Sequence, residues 1–400
     1  MENNLEQSKW NNNFWKLYGF SFFQVFLVAI PVIVPFWQSK GLSLQEIFTL
    51  QGIFGGTLIL FDVPAGYMAD LFGRKKTLMA GTIVALLGWQ LLWWGNSFWH
   101  FAAYEMILGI ALSLQSGCDV AILYSSLEKL KLSGRKSKYL GRRVLSMQIG
   151  EGTASLLGGF LATISLKLPM IVNAVVPIGA IVFASLLFEG HEKKLSRESH
   201  FENIKMIRRA LFGHSRLLTL LIIAYIFYSF ATYCAIWTFQ VYWEKQGLAI
   251  SLFGYLWAAN SFLVGIIGHY SHKIEVWLGS TATVAVIAIT PIIGYLGMGS
   301  VGGWLGISFM IFFPMCRGLN VVLFQDAVNS RVPAEIRATA NSVGSLGMRM
   351  LFLAFGPLLG YVIDHWGPAK ALESMGYVYL LGFFIVALPL LGQRKQFVLT

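Results

Sequence analysis

The chain carries a short charged stretch between two apolar runs, Gly66-Tyr67-Met68-Ala69-Asp70-Leu71-Phe72-Gly73-Arg74-Lys75-Lys76. One apolar run, at about 46–69, leads into this stretch, and a second, at about 77–96, follows it. Each run has roughly the 20 apolar residues that an α-helix needs to cross a bilayer. A glycine at position 73 permits a tight turn between two helices, and the basic residues after it mark one side of a membrane.

The composition of the whole chain agrees with a location in a bilayer. Of its 400 residues, 56% are hydrophobic and 12% are charged, whereas about a quarter of the residues in a soluble domain are charged. Apolar runs of spanning length fall at about 14–37, 46–69, 77–96, 98–127, 141–164, 169–188, 215–243, 250–271, 278–299, 303–326, 339–363 and 371–392. These runs lack the period-2 alternation of barrel strands. We therefore predict an all-α integral membrane protein with twelve transmembrane helices.

Lysine and arginine residues are distributed unequally between the predicted loops. Of the 30 basic residues, 24 fall in loops on one side of the membrane, four fall on the other side and two lie within spans. The side rich in basic residues is normally the cytoplasmic one. We therefore expect both termini in the cytoplasm of a multi-pass protein of the plasma membrane, the inner membrane of a bacterium. This distribution accounts for the net charge of +11 without nucleic acid.

One long polar connection, at 189–214, separates six spans from six. It predicts an N-terminal lobe at 1–188, a cytoplasmic linker at 189–214 and a C-terminal lobe at 215–400. An internal repeat supports this division, because three residues recur at a constant offset of 206. They are Trp37, Gly41 and Leu42, which correspond to Trp243, Gly247 and Leu248. The two lobes are therefore expected to be pseudo-symmetric within one monomeric chain.

The stretch 66–76 resembles the signature G-x-x-x-D-x-x-G-R-[RK] of the major facilitator superfamily, and it lies in the loop where that family carries it. With twelve spans in two halves, the resemblance covers essentially the whole chain. It implies a secondary active transporter that moves a small molecule by alternating access. It also implies a conformational latch, in which the motif's arginine pairs with a carboxylate at the end of span four. The candidate latch residues are Gly66, Asp70, Gly73, Arg74, Lys75 and Asp119, with Glu128 as the alternative carboxylate.

Span five carries a second pattern, Gly150-Glu151-Gly152-Thr153-Ala154-Ser155-Leu156-Leu157-Gly158-Gly159. It resembles the G-x-x-x-G-P-x-x-G-G motif of proton-driven efflux antiporters. Ala154 and Ser155 replace a glycine and the proline of that motif, and a closer Gly-Pro match lies at 356–360. Two interpretations stay open, an antiporter element or small residues that ease helix packing.

Ionisable side chains within spans are candidates for proton coupling, because they are costly in lipid unless paired or hydrated. Glu151 is the first candidate, and Glu105 and Asp62 are the others. The alternative for Glu151 is a fixed hydrogen bond with Asn260. Asp62 and Arg349 have similar depths in spans two and eleven, which the superfamily packs together, so they are expected to pair between the lobes.

Candidate substrate-binding residues lie at mid-depth in the spans that line the family's central cavity. They are Gln24, Gln115, Tyr228, Tyr233, Trp237 and Arg317. The glycine-rich span five and the aromatic span seven favour proton-coupled efflux of an amphipathic compound. Arg317 and Glu105 favour the alternative, uptake of a polar or anionic solute. For each aromatic residue taken singly, packing is the competing interpretation.

Motifs for cofactor, metal or catalytic chemistry are not found in the sequence. The three cysteines lie in apolar segments without C-x-x-C spacing, and the seven histidines are scattered over different loops and spans. We therefore expect no cofactor and no metal site. No Walker-type loop or Ser/His/Asp set appears, which argues against an enzyme. The expected partners are protons, a small-molecule substrate and the lipid bilayer.

Overall fold

The computed structural model describes residues 2–190, 215–332 and 337–393. Helices account for nearly all of these residues, and the described chain contains no β-strand. The predicted all-α class is therefore confirmed. All but two residues of the predicted linker 189–214 lie outside the described residues.

Nine α-helices form the first part of the described chain. They are α1 (Glu2–Gln24), α2 (Ile33–Ser39), α3 (Leu44–Phe72), α4 (Arg74–Trp94), α5 (Phe98–Gln115), α6 (Cys118–Lys129), α7 (Lys136–Ile164), α8 (Lys167–Val175) and α9 (Pro177–Leu186). The first predicted span is interrupted, because α1 ends at Gln24 and a 3₁₀ turn at Ile30–Val32 precedes α2.

Eight further α-helices follow residue 215 in the described chain. They are α10 (Arg216–Lys245), α11 (Ile250–Leu278), α12 (Ser280–Ser300), α13 (Gly303–Ser308), α14 (Phe312–Leu319), α15 (Gln325–Asn329), α16 (Arg337–Gly382) and α17 (Leu388–Gly392). A π-helical turn at Asn320–Phe324 connects α14 to α15. Gly367 interrupts α16 with non-helical angles, φ 81° and ψ 164°, so the two parts of α16 are separate helices.

Nine helical segments of the described residues are long and apolar enough to cross a membrane. One of them, Ser342–Gly392, has 51 residues, or about 76 Å of helix, and is interrupted at Gly367, so it supplies two crossings. These segments correspond to ten of the twelve predicted spans. Of the other two predicted spans, 14–37 contains the break after α1, and 141–164 includes the basic first turns of α7. Neither is among the nine segments, so both stay predictions.

The chain divides into two compact units. Unit 1 comprises Met1–Leu42, Ile53–Ser196 and Ala249–Ala258, and unit 2 comprises Ser43–Gly52, Arg197–Leu248 and Ala259–Thr400. Each unit therefore includes the first turns of one helix from the other half of the sequence. The first turns of α3 belong to unit 2, and those of α11 belong to unit 1. The sequence did not indicate this exchange, and the six-and-six division at the linker stays a prediction.

Helix α1 forms much of the core of unit 1. Its residues Leu17 and Phe20 are fully buried in a cluster with Ile122 and Leu123 of α6 and Ala184 of α9. Because lipid is as apolar as these side chains, close van der Waals packing rather than removal from water holds such helices together. The packing fixes α1 beside α6 and α9.

Both units contain the same turn, 206 residues apart. In unit 1, Gly41 has φ 86°, and Leu42 N donates to Trp37 O at 3.3 Å. In unit 2, Gly247 has φ 75°, and the corresponding bond from the next residue to Trp243 O measures 3.1 Å. Glycine is favoured at the end of a helix because it adopts positive φ without strain. The structure therefore confirms the predicted repeat at this turn.

Candidate functional site

Gly73 forms the turn at the centre of the motif. It is the single residue between α3 and α4, and its backbone angles are φ 98° and ψ 147°. Gly73 N donates to Ala69 O at 3.0 Å, and Gly73 O accepts from Thr77 N at 3.1 Å. Residues with a side chain rarely adopt a positive φ. Gly73 therefore hydrogen-bonds to the backbone of both helices, in a conformation that other residues rarely adopt.

A carboxylate caps the helix that begins after this turn. Glu189 Oε1 accepts from Arg74 N at 2.8 Å, and Oε2 accepts from Lys75 N at 3.0 Å. The first amide groups of a helix have no partner within the helix and carry partial positive charge, so a negative side chain stabilises them. Glu189 therefore fixes the start of α4, a role that the sequence did not predict.

We expect Gly73→Ala to destabilise the protein. A side chain at φ 98° is strained by about 1–3 kcal/mol, and the added methyl group would lie 3.0 Å from Glu189 Oε2. Gly66→Ala is the matched control, because a methyl group at Gly66 would meet no atom of the described residues within 4 Å. Thermal unfolding of the two purified variants in one detergent measures the difference. Equal unfolding temperatures would contradict this account.

Asp119 pairs with a different arginine from the one expected. It is 3% exposed, accepts a hydrogen bond from Arg143 Nε at 2.7 Å and forms an ion pair with Arg143 Nη2. Arg74 Nη1 donates instead to Ser125 Oγ at 2.9 Å. The expected pairing of Arg74 with Asp119 is therefore corrected: Asp119 joins α6 to α7, and Arg74 joins α4 to α6. Glu128, the alternative carboxylate, is exposed, as is Asp70.

The glycines of span five are sites of close backbone contact. A methyl group at Gly150 would lie 2.6 Å from Phe22 O of α1. One at Gly158 would overlap Val28 O, and one at Gly159 would lie 2.8 Å from Gly254 Cα of α11. Helix α7 runs unbroken from Lys136 to Ile164, and these glycines make close packing contacts in it, while the antiporter interpretation stays a prediction.

The Gly-Pro match in α16 marks a second close contact, within unit 2. A methyl group at Gly360 would lie 2.6 Å from Leu44 O at the start of α3. One turn later, Asp364 accepts hydrogen bonds from Leu44 N at 2.9 Å and Gln45 N at 2.8 Å. Asp364 therefore caps α3 in the same manner as Glu189 caps α4.

A cavity of about 130 Å³ lies inside unit 1 between α1, α4, α5 and the α8–α9 pair. Its wall includes the predicted residues Gln24 and Gln115, and Gln24 Nε2 donates to Gln115 Oε1 at 2.9 Å. Asn173, which is fully buried, also lines it, and its Oδ1 accepts from Ala29 N at 3.1 Å. This bond satisfies a backbone amide in the break after α1. None of the described residues in the wall has an ionisable side chain.

The predicted aromatic residues of α10 belong to unit 2, and they differ in exposure. Tyr228 is fully buried, with its ring 6.5 Å from that of Tyr379, so it is part of the core of the unit. Trp237 is 7% exposed. Tyr233 is half-buried and packs edge-to-face on Phe352, with ring centres 4.7 Å apart.

Ionisable residues within the predicted spans lie in both units. Glu105 on α5 is 4% exposed, whereas Asp62 on α3 and Glu151 on α7 are half-buried. Arg349 on α16 is also half-buried, and Arg317 on α14 is exposed. Their roles in proton coupling, lobe pairing and substrate binding stay predictions.

A sequence profile of the Major Facilitator Superfamily matches residues 15–357. The chain belongs to the major facilitator superfamily. Membership makes it a multi-pass membrane transport protein and confirms the resemblance that the motif at 66–76 indicated.

Relatives within the superfamily include proteins named for drug resistance. The tetracycline resistance protein of class H from Pasteurella multocida is 21% identical over 388 residues, 92% of each chain. Quinolone resistance protein NorA of Staphylococcus aureus is 22% identical over 253 residues, 61% of this chain and 63% of NorA. An uncharacterized transporter of Buchnera aphidicola is 30% identical over 127 residues, so the match spans about a third of either protein.

Solved structures of the superfamily have the same fold. The nucleoside transporter NupG superposes with a TM-score of 0.71 at 14% identity, covering 97% of this chain and 99% of NupG. At this identity the similarity establishes the fold and leaves the substrate undetermined.

The sequence did not predict the roles of four residues in the helix caps, the ion pair and the cavity described above. They are Glu189, Asp364, Arg143 and Asn173. Arg143 was counted only as a basic loop residue, and no role was predicted for the capping residues Glu189 and Asp364. Their partners are distant in sequence. Asn173 is a single amide in an apolar run, and that is the signal that would have found it.

Proposed function

We propose that this transporter exports a small amphipathic compound in exchange for protons. The cavity wall in unit 1 carries the proposal, because it is apolar and aromatic except for three carboxamides and Thr82. A charged group placed against this wall would find no counter-charge, whereas a neutral ring with polar substituents matches it. The tetracycline resistance protein, which is similar along 92% of its length, supports a drug-like substrate.

Proton coupling rests on carboxylates in the helices that form or adjoin this cavity. Glu105 precedes the cavity residue Leu108 by three positions on α5, so the two lie on one face of that helix. Glu151 follows Gly150, which contacts α1 directly. A buried or half-buried carboxyl group binds a proton in one state and releases it when water reaches it. Glu151 stays our first choice, with Glu105 and Asp62 as the other candidates.

The motif loop is proposed to act as a conformational latch in this cycle. Glu189, Ser125 and Arg143 join the six residues assigned from sequence, because they hold the loop and Asp119 in place. Charge contacts at helix ends bias a two-state equilibrium by a few kcal/mol. The monomeric state, the cytoplasmic termini and the inner-membrane location belong to the same proposal.

Transport by purified protein in proteoliposomes tests the proposal, with tetracycline as the probe. With an acidic lumen, proton antiport is expected to accumulate tetracycline inside. A gradient of two pH units supports up to about 100-fold accumulation for one-to-one exchange, because each unit is about 1.4 kcal/mol. Protein-free liposomes correct for passive trapping of the probe. Accumulation with an alkaline lumen alone would indicate symport and overturn the proposal.

Arg317 supports a second candidate function, uptake of an anionic solute. Its side chain is exposed on α14 and forms no hydrogen bond or ion pair with the described residues. Arginine binds carboxylates and phosphates with two parallel hydrogen bonds. Symport of a carboxylate in the same liposomes, lost in Arg317→Gln, would favour this alternative.

A further inference from the structure

The cavity in unit 1 has the size and lining of a pocket for one aromatic ring. Phe23, Phe54 and Trp89 supply aromatic walls, and Leu108 and Leu112 of α5 supply aliphatic ones. A protein cavity of about 150 Å³ binds benzene, and this one measures about 130 Å³. The volume therefore fits a single ring with a small substituent.

Asn173 connects this wall to the break after α1. Its Oδ1 accepts from Ala29 N at 3.1 Å, and this contact fixes the orientation of the amide, since a backbone N–H requires an acceptor. Asn173 Nδ2 has no hydrogen-bond partner among the described residues, although the residue is fully buried. Because this nitrogen has no accessible surface even toward the cavity, a ligand in the cavity does not reach it at hydrogen-bond distance.

The amides of Gln24 and Gln115 further restrict the polarity of a ligand that fits this wall. Gln24 Nε2 and Gln115 Oε1 satisfy each other at 2.9 Å, which leaves Gln24 Oε1 and Gln115 Nε2 for other partners. The described residues of the wall include no ionisable side chain. The pocket therefore offers neutral donors and acceptors around an apolar space, and no counter-charge for an ion.

We propose that this cavity binds an uncharged aromatic ring that carries a hydrogen-bond acceptor, and that Gln115 Nε2 donates to the acceptor. The proposal rests on the proposed function, because it assigns the pocket to the ring of the exported compound. It narrows that compound to aromatic ketones, amides and similar neutral acceptors. Water is the competing occupant of a cavity with three amides.

Binding of 4-fluoroacetophenone to the purified full-length protein tests the proposal by ¹⁹F NMR. The control probe is 4-fluoro-α-methylstyrene, which has nearly the same size and carries a methylene group in place of the carbonyl oxygen. Relative to its partitioning into detergent, the styrene is expected to bind roughly tenfold more weakly, because it lacks the acceptor for Gln115. Equal affinities, or no specific binding of either probe, would overturn the proposal and leave water as the occupant.

Variants at two alanines of α4 distinguish binding of the probe in the pocket from its general partitioning into detergent. Ala85 lines the cavity, so Ala85→Leu is expected to weaken binding of both probes at least tenfold. Ala80 is half-buried on the same helix and does not line the cavity, so Ala80→Leu is the matched control with unchanged binding. Equal binding by the two variants would place the probe outside the cavity. Unfolding temperatures check that both variants fold.

Tetracycline transport by the same variants separates the two proposals. If the pocket holds the substrate ring, Ala85→Leu loses transport and Ala80→Leu retains it. Probe binding in the pocket with full tetracycline transport by Ala85→Leu would overturn the link to the substrate. Absence of proton antiport in the native protein would reject the proposed function, while the probe measurements would still decide whether the pocket binds a ring.

Discussion

Glu151→Gln is expected to abolish proton-driven accumulation of substrate while preserving exchange of substrate down its gradient. Glutamine has the shape and neutral charge of a protonated glutamate, so the cycle proceeds without binding or releasing a proton. Glu151 is half-buried on α7, next to the Gly150 contact with α1. It therefore lies one residue from the point where α7 and α1 approach closely, at Gly150 and Phe22.

Proteoliposomes provide both measurements for this variant. Uphill accumulation under a pH gradient should fall to the level of protein-free liposomes, and counterflow of preloaded tetracycline should continue near the native rate. Glu128→Gln is the matched control, because Glu128 is exposed at the end of α6. If Glu151→Gln still accumulates substrate, Glu105→Gln becomes the next variant, and the hydrogen bond of Glu151 with Asn260 becomes the preferred explanation for Glu151.

The helices and the turns between them could be predicted from sequence because their causes are local. Gly73, Gly41 and Gly247 each occupy a backbone conformation with positive φ that glycine adopts without strain. Apolar length alone located ten of the spans. The break after α1 was missed, since the amide of Ala29 within it bonds to Asn173, which lies 144 residues away.

The partners of the charged residues were harder to predict, because tertiary structure brings them together. Glu189 and Arg74 are 115 residues apart, and Asp364 and Leu44 are 320 residues apart. The sequence placed Glu189 in a solvated linker, although its position directly after a span was a signal for a cap. Asp119 was correctly identified as a carboxylate in the motif region, but its partner is Arg143, which the positive-inside count treated only as a loop charge.

The cavity was predicted in part. Gln24 and Gln115 were chosen for their depth, and they do line one cavity, where they hydrogen-bond to each other. Tyr228 was chosen by the same reasoning and is buried in the core of unit 2. Depth in a span is readable from sequence, but the face of a helix that meets a cavity is not, because apolar and aromatic residues surround α10 on every side.

Asp119→Asn is expected to destabilise unit 1 more than any other single change considered, by about 3–5 kcal/mol, which is typical of breaking a buried ion pair. The Asp119 side chain is 4% exposed and that of Arg143 is 15% exposed, so the remaining guanidinium would have little access to water. Asparagine keeps one acceptor but removes the charge. The unfolding temperature of the purified variant should fall by several degrees at a fixed scan rate.

The double variant Asp119→Asn with Arg143→Gln decides whether this cost comes from the ion pair. Removing both charges leaves two amides that can hydrogen-bond, so the double variant should be more stable than the sum of the single losses indicates. Arg142→Gln is the control, because Arg142 is exposed and contacts the Tyr139 ring at 5.9 Å instead of a carboxylate. Additive losses, or an equal loss in Arg142→Gln, would show that the Asp119–Arg143 pair does not hold α6 to α7. If the pair also belongs to the latch, the double variant should recover stability without recovering transport. The two amides restore the contact between α6 and α7, but they carry no charge with which to bias the two-state equilibrium.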